Sequence, residues 1–153
     1  MQEIERKFLV KNDDYKLEAV QVHHIVQAYL NSDPKRTVRI RIKNGQAFLT
    51  VKGGSNDTGT SRFEWETEIP LDDAKVMLEL AEPGMIEKVR YVVPAGDNLF
   101  FEVDEFLDEH EGLVLAEIEL PDENTPFEKP DWLGEEVTGN PDYYNAQLSK
   151  TRN

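Results

Sequence analysis

The sequence predicts an α+β fold in which eight mainly antiparallel strands, wrapped into a barrel or stacked as a sandwich, are flanked by two or three helices. Three observations carry this expectation. Period-two alternation of apolar and polar residues dominates the chain. Clusters of Asn, Asp and Gly separate the alternating runs. Helical periodicity is confined to a few short stretches.

A length of 153 residues suits one domain, 1–153, with enough chain to bury a core. Hydrophobic residues make up 39% but fall in short runs, none near the roughly 18 to 20 apolar residues of a membrane span. The chain opens on Met1-Gln2-Glu3-Ile4-Glu5-Arg6-Lys7, without an apolar leader, so a cytoplasmic location is expected. Cysteine is absent, which removes disulfides and thiolates and leaves oxygen or imidazole to hold any metal. The net charge of −14 disfavours nucleic acid and anionic membrane as partners. Yet six of the seventeen basic residues (Lys35, Arg36, Arg39, Arg41, Lys43 and Lys52) lie in a window, 34–56, that holds no acid.

Strands are expected at 2–10, 23–31, 36–44, 46–53, 61–70, 86–94, 98–107 and 113–121. Asn44-Gly45 between two alternating runs is a tight hairpin signal, and Ala95-Gly96-Asp97-Asn98 makes a second turn. The polar, glycine-rich stretch 53–59 reads as a loop. A helix is expected over 71–83, capped by Asp72 or Asp73, carrying Val76, Leu78 and Leu80, and stopping before Pro83-Gly84. A helical turn over 13–19 and a C-terminal helix over 141–150, capped by Asn140 with proline at its first position, complete the set.

The chemistry enters through the strand faces, where residues two apart lie on one side at about 6.6 Å. Charged sets recur: Glu3, Glu5 and Lys7; Arg39, Arg41 and Lys43; Lys52 beside Thr50; Glu64, Glu66 and Glu68; Lys88 and Arg90; Glu102 and Asp104; Glu117 and Glu119. Taken singly, each such strand reads as the solvated face of a sandwich. Taken together, the sets are almost purely ionisable, and their signs are segregated strand by strand. Closing the sheet with these faces inward makes a lumen with a Lys/Arg wall and a Glu/Asp wall. Arginine forks and lysine ammoniums suit phosphate oxygens. Carboxylates are the hard ligands that Mg²⁺ or Mn²⁺ prefers, and such a cation would separate them from the anion. Charge balance therefore points to a metal–polyphosphate site.

The same residues resemble the CYTH, or triphosphate tunnel metalloenzyme, superfamily. Glu3-Ile4-Glu5-Arg6-Lys7 is similar to its ExExK signature. The likeness continues in order through Gln27-Ala28-Tyr29-Leu30, Val38-Arg39-Ile40-Arg41, Leu49-Thr50-Val51-Lys52 and Glu87-Lys88-Val89-Arg90-Tyr91. It ends in Glu102-Val103-Asp104, Ala116-Glu117-Ile118-Glu119-Leu120 and a C-terminal segment from Trp132 to Thr138, followed by Tyr144-Asn145 and Leu148. The resemblance implies an eight-stranded antiparallel β-barrel, a tunnel with a charged interior, that binds triphosphate with Mg²⁺ or Mn²⁺. Carried over by position, Arg39, Arg41, Lys52, Lys88 and Arg90 would bind phosphate. Glu3, Glu5, Asp104, Glu117 and Glu119 would supply the metal site, and Lys7 with Tyr29 would form a catalytic pair. Activity as an inorganic triphosphatase is then expected, with a small-molecule triphosphate as the partner and, at most, a second copy in a homodimer.

Blander readings stand beside these. Tyr29 by residue type is a packing tyrosine, and Glu64 and Glu66 read first as structural ion pairs. His23-His24 reads as a strand-edge pair, Tyr143 and Tyr144 as packing for the last helix, and Lys150 as a partner of its dipole. On the same scaffold, adenylate cyclase and thiamine or nucleoside triphosphatase are alternatives. A non-catalytic polyphosphate-binding module is another, and an acidic sandwich that binds a protein partner is a third.

Overall fold

A computed structural model describes residues 2–148. Among them, nine strands form one antiparallel sheet: β1 Gln2–Val10, β2 Gln21–Asn31, β3 Arg36–Lys43, β4 Gln46–Ser55, β5 Ser61–Ile69, β6 Ile86–Gly96, β7 Leu99–Phe106, β8 Val114–Glu119 and β9 Leu133–Glu136. Their spatial order is β5-β4-β3-β2-β6-β7-β8-β1-β9. Pairing of Gln2, Glu3 and Ile4 with Phe63, Arg62 and Ser61 joins β1 to β5 and closes the first eight strands into a barrel. The sandwich is set aside, because the ionisable faces turn inward. All eight expected strands form, each end within two residues of its expected place.

Local chemistry explains the tight connections. Asn44 (φ 51°) and Gly45 (φ 83°) turn β3 into β4, and Asp97 (φ 53°) with Asn98 (φ 62°) turns β6 into β7. Both pairs hold the double positive φ that matches the twist of a two-residue hairpin. The stretch 53–59 divides, with Gly53, Gly54 and Ser55 extending β4 and the remainder looping to β5. β9 was not legible, since four residues are too few to show a period. Gly134 lets it lie against β1, where a Cβ would sit 2.9 Å from the Leu9 carbonyl oxygen.

With charge inside, the apolar faces point outward and must be covered. Phe8, Phe101, Val103, Ala116 and Ile118 on the outer faces of β1, β7 and β8 pack under Tyr15, Leu120, Trp132 and Leu133. Tyr15 opens the short helix α1, Tyr15–Glu18. Helix α2, Leu71–Leu80, covers β3 and β4 by setting Leu71, Ala74, Met77 and Leu78 against Ile40, Ala47 and Leu49. Of the apolar residues that mark this helix in the sequence, Leu78 packs inward while Val76 and Leu80 face solvent. The cause is the register. The helix starts after Pro70, ahead of Asp72 and Asp73, so the aspartates lie in the first turn and interact with the dipole rather than capping it.

One end of the bore is apolar. The inward positions of β6, β7 and β8 change there from charged to hydrophobic, at Ile86, Phe106 and Leu115, and Leu148 and Tyr143 pack on them. The expected C-terminal helix is broken into a 3₁₀ turn, Pro141–Tyr143, and helix α3, Asn145–Leu148. Asn140 caps the turn by accepting from the Asp142 N–H, with Pro141 first, as the sequence indicates. Lys150 lies outside the described residues. No helix among them is long and apolar enough to cross a membrane.

The C-terminal segment is fastened to the loop between β4 and β5 by backbone contact. A Cβ on Gly59 (φ 76°) would lie 2.3 Å from the Gly139 Cα. Gly59→Ala is therefore expected to destabilise the protein by roughly 1–3 kcal/mol, read as a lower urea midpoint.

Candidate active site

A cavity of about 410 Å³ runs inside the barrel. It is lined by Glu3, Glu5 and Lys7 of β1, Tyr29 of β2, Arg39 and Arg41 of β3, and Lys52 of β4. Lys88 and Arg90 of β6 and Glu117 and Glu119 of β8 complete the ring. Eleven of the twelve residues singled out in the sequence thus face one space. Strand parity explains the convergence, since each comes from the face that the charged alternation marks.

Asp104 is the exception. It lies beneath the wall, where Oδ1 accepts from Arg90 Nε at 2.8 Å. Its Oδ2 accepts from an Arg90 terminal nitrogen at 3.0 Å and lies 2.7 Å from Lys88 Nζ. Burial opposes the charge on Asp104, but Arg90 and Lys88 overcome it and hold the carboxyl at about 2. Asp104 is thus the counter-charge of the cationic wall, and both of its oxygens are occupied.

The cationic wall carries charge that its neighbours do not cancel. Burial, with Arg39 and Arg90 close by, pulls the Arg41 guanidinium down to about 9, still charged at neutral pH. Among the described residues Arg41 has no carboxylate partner; its Nε and a terminal nitrogen donate to Gln27 Oε1 at 3.0 and 2.9 Å. Arg39 donates to Thr50 Oγ1 at 3.2 Å, and Thr50 in turn donates to Glu66. The buried Arg39 Nε has no hydrogen-bond partner among the described residues. Buried donors are normally satisfied, so this one invites an acceptor. Burial lowers the Lys88 ammonium, Asp104 resists that shift, and Arg90 and Arg41 add to it.

Across the bore the carboxylates crowd one another. Glu5 is walled in by protein, and that burial, with Glu117 alongside, raises its carboxyl to about 8. Glu117 shares a hydrogen bond with Glu5 and stays ionised despite burial, because Lys7 lies 3.3 Å away. Glu3 accepts from Lys52 at 2.9 Å and shares a second bond with Glu64, so Glu64 meets a carboxyl rather than the expected cation. Among the described residues no three acidic or imidazole groups converge into a ready-made metal cage. The donor set still fits a hard divalent cation, since paired carboxyls sharing protons are the groups such a cation would bind in the proton's place.

Lys7 spans the walls. Its Nζ donates to the Tyr143 carbonyl at 2.9 Å and lies over the Tyr144 ring at 5.6 Å. No hydrogen bond among the described residues joins it to Tyr29, which sits opposite Arg39 on the β2–β3 ladder. Tyr143 packs as expected, whereas Tyr144 lines the cavity. His23 and His24 lie outside the site. His24 binds Glu87 at 2.5 Å and His23 meets Asn44, in a strand that β3 and β6 flank rather than at a sheet edge.

Several lining residues escaped the sequence reading. Arg62, 3.8 Å from Glu3, shares the parity of Glu64 and was legible by that rule. Gln27, buried behind the lining, shares the parity of Tyr29 but carries no charge to mark it in the sequence. Tyr144 and Asn145 come from a segment without periodicity.

A closed barrel whose bore carries opposed cationic and acidic walls defines a polyanion-binding tunnel protein. The chain belongs to the CYTH family, whose domain it matches over residues 1–153. It is 52% identical over 149 residues to an inorganic triphosphatase of Acetivibrio thermocellus, covering 97% of this chain and 93% of that protein. It is 34% identical over 154 residues to an inorganic triphosphatase of Nitrosomonas europaea, covering 97% of each. A crystal structure of an inorganic triphosphatase superposes with a TM-score of 0.70 at 31% identity, over 97% of this chain and 98% of that one.

Three predictions arise from these charges. Asp104→Ala strands Lys88 and Arg90 and is expected to cost about 3–5 kcal/mol of stability by urea unfolding. Glu66→Ala, at a more exposed pair, should cost less than about 1 kcal/mol by the same measurement. Native Glu5 keeps a proton, up to about pH 8, that the unfolded chain releases near its ordinary 4.5. Its contribution therefore falls as pH rises between those values. Glu5→Gln is expected to flatten that decline, so melting curves of the metal-free proteins should diverge in the variant's favour towards pH 8.

Proposed function

We propose that this chain, acting as one domain, is an inorganic triphosphatase that cleaves tripolyphosphate with the help of a divalent cation, Mg²⁺ or Mn²⁺. The observation that carries this reading is the incompletely neutralised cationic wall, where among the described residues Arg41 has no carboxylate partner and Arg39 Nε has no acceptor. Such charge, buried opposite paired carboxyls, is stabilised by an anion rich in oxygen acceptors. The identity of 52% to an inorganic triphosphatase supports the same substrate.

In this reading Arg39, Arg41, Lys52, Lys88 and Arg90 bind the phosphate oxygens along one side. Glu5 and Glu117, with Glu3 and Glu119 nearby, would hold the cation. Mg²⁺ commonly takes one or two protein carboxylates and completes its shell with phosphate and water, which suits a site without a preformed cage. When bound, the cation would supply Lewis-acid stabilisation of charge on the phosphoryl oxygens. Asp104 stays with Lys88 and Arg90, where it keeps both in place. Water adds to a terminal phosphorus and the bridging P–O bond breaks, giving orthophosphate and pyrophosphate. Lys7, held between Glu117 and the Tyr143 carbonyl, offsets the charge that spreads over the transferred phosphoryl. Tyr29 lines the bore beside Arg39 and completes the proposed catalytic pair. The lack of cysteine fits work in the cytosol.

Phosphate release from tripolyphosphate is expected with Mg²⁺ or Mn²⁺ and not in EDTA; release that ignores chelation would sink the reading. Lys7→Ala should lower kcat by about a hundredfold or more while KM moves much less, as for a charge used mainly in the transition state. An equal loss in both would remove Lys7 from the chemistry.

A further inference from the structure

Two neutral side chains join two of the buried cations. Arg41 donates twice to Gln27 Oε1, at 3.0 and 2.9 Å. Gln27 Nε2 donates to Asn145 Oδ1 at 3.1 Å, and the same oxygen accepts from Lys88 Nζ at 2.8 Å. The orientation of both amides is forced. Arginine and lysine can only donate, so an amide oxygen must meet each end, and the Gln27 nitrogen is left to bridge the middle. Gln27 and Lys88 are both 0% exposed, so no water stands in for these contacts.

The choice of amides is informative. Glutamate and aspartate have the same shape, accept the same hydrogen bonds from Arg41 and Lys88 and would form ion pairs with them, although glutamate at 27 could not donate to Asn145. That is how the barrel treats its other buried cations, as with Lys52 on Glu3 and Arg90 on Asp104. At Gln27 and Asn145 the sequence supplies geometry without charge. On the same wall Thr50 bridges Arg39 to Glu66 by hydrogen bonds, but there a carboxylate oxygen also lies 3.7 Å from Arg39, so that cation is paired.

We propose that Gln27 and Asn145 are positioning residues for the anion, fixing Arg41 and Lys88 through neutral oxygens so that neither amide cancels the charge offered to bound phosphoryl groups. This deepens the tripolyphosphate reading and rests on it. Gln27 orients the Arg41 fork, whose remaining N–H donors stay available to phosphate oxygens. Asn145, from the C-terminal segment, makes that segment part of the binding site rather than a cover over it.

Asn145→Asp and Gln27→Glu test this. Asn145→Asp keeps shape and both hydrogen bonds that Oδ1 accepts and adds only charge. Gln27→Glu keeps the bonds from Arg41, adds charge and gives up the N–H that Gln27 donates to Asn145. Tripolyphosphate affinity is measured by calorimetry in EDTA, and the ligand-free proteins are melted in parallel. Gln27→Glu is expected to raise the Kd about tenfold or more, from Coulomb repulsion in a partly desolvated site. Stability is read on Asn145→Asp, because Gln27→Glu trades the counter-charge gained by Arg41 against the hydrogen bond lost to Asn145. Asn145→Asp should raise the Kd less strongly, since Asp104 already offsets Lys88, while its ligand-free melting temperature holds or rises. Affinity and stability moving in opposite directions is the signature that a merely structural amide would not give. An unchanged Kd in Gln27→Glu, or affinity and melting temperature falling together in Asn145→Asp, overturns the proposal. Wild-type protein that releases no phosphate in the assay above would instead fail the triphosphatase reading.

Discussion

Lys88 has no exposed surface and lies 2.7 Å from Asp104, which Arg90 grips with two nitrogens; the barrel is built around this knot. Taking an ion out of water costs several kcal/mol, and attraction repays it only where partners are fixed and lone pairs are filled. A closed antiparallel sheet meets that demand. Its ladder holds β6 against β7, so Arg90 faces Asp104 in register. Once charge occupies the inside, the rest follows. The apolar faces must turn outward, and α1, α2 and the segment through Trp132 exist to cover them.

The same constraint leaves a deliberate imbalance. Most buried cations are matched, yet Arg41 and Arg39 meet neutral oxygens first. The acidic wall shows the mirror imbalance, with Glu5 hydrogen-bonded to Glu117 and Glu3 to Glu64. Each wall is stable but incomplete. A ligand bearing many anionic oxygens would complete one, and a divalent cation would complete the other. Structure and chemistry are linked at this point, because what the fold leaves unsatisfied is what the proposed substrate supplies.

Much of this was legible in the alternation. The parity of Glu3-x-Glu5-x-Lys7 or Lys88-x-Arg90 places the side chains on one face, and closure of the sheet makes that face the inside. Parity does not reveal depth, however. Asp104 shares the face of Glu102 but is drawn under Lys88 and Arg90, so a residue assigned to the metal becomes a support for the cations. Short or aperiodic pieces were also beyond reach. β9 spans four residues, and Tyr144 and Asn145 reach the cavity where a 3₁₀ turn gives way to the start of α3. Gln27 was missed for a chemical reason, since a search for charge does not see a residue whose value is to lack it.

The opposed walls also bear on stereochemistry. Tripolyphosphate is achiral, and its central phosphorus carries two non-bridging oxygens that solution cannot tell apart. Between an arginine-lysine wall and a carboxylate wall they are no longer equivalent. A bound chain would turn one oxygen to the guanidinium groups and the other to the carboxylates and any cation they hold. In the free molecule a half-turn, end for end, exchanges the two oxygens. A single sulfur at the central phosphorus leaves the compound achiral, yet in this bore it would face either the cations or the carboxylates, two poses of one molecule that the walls make unequal in energy.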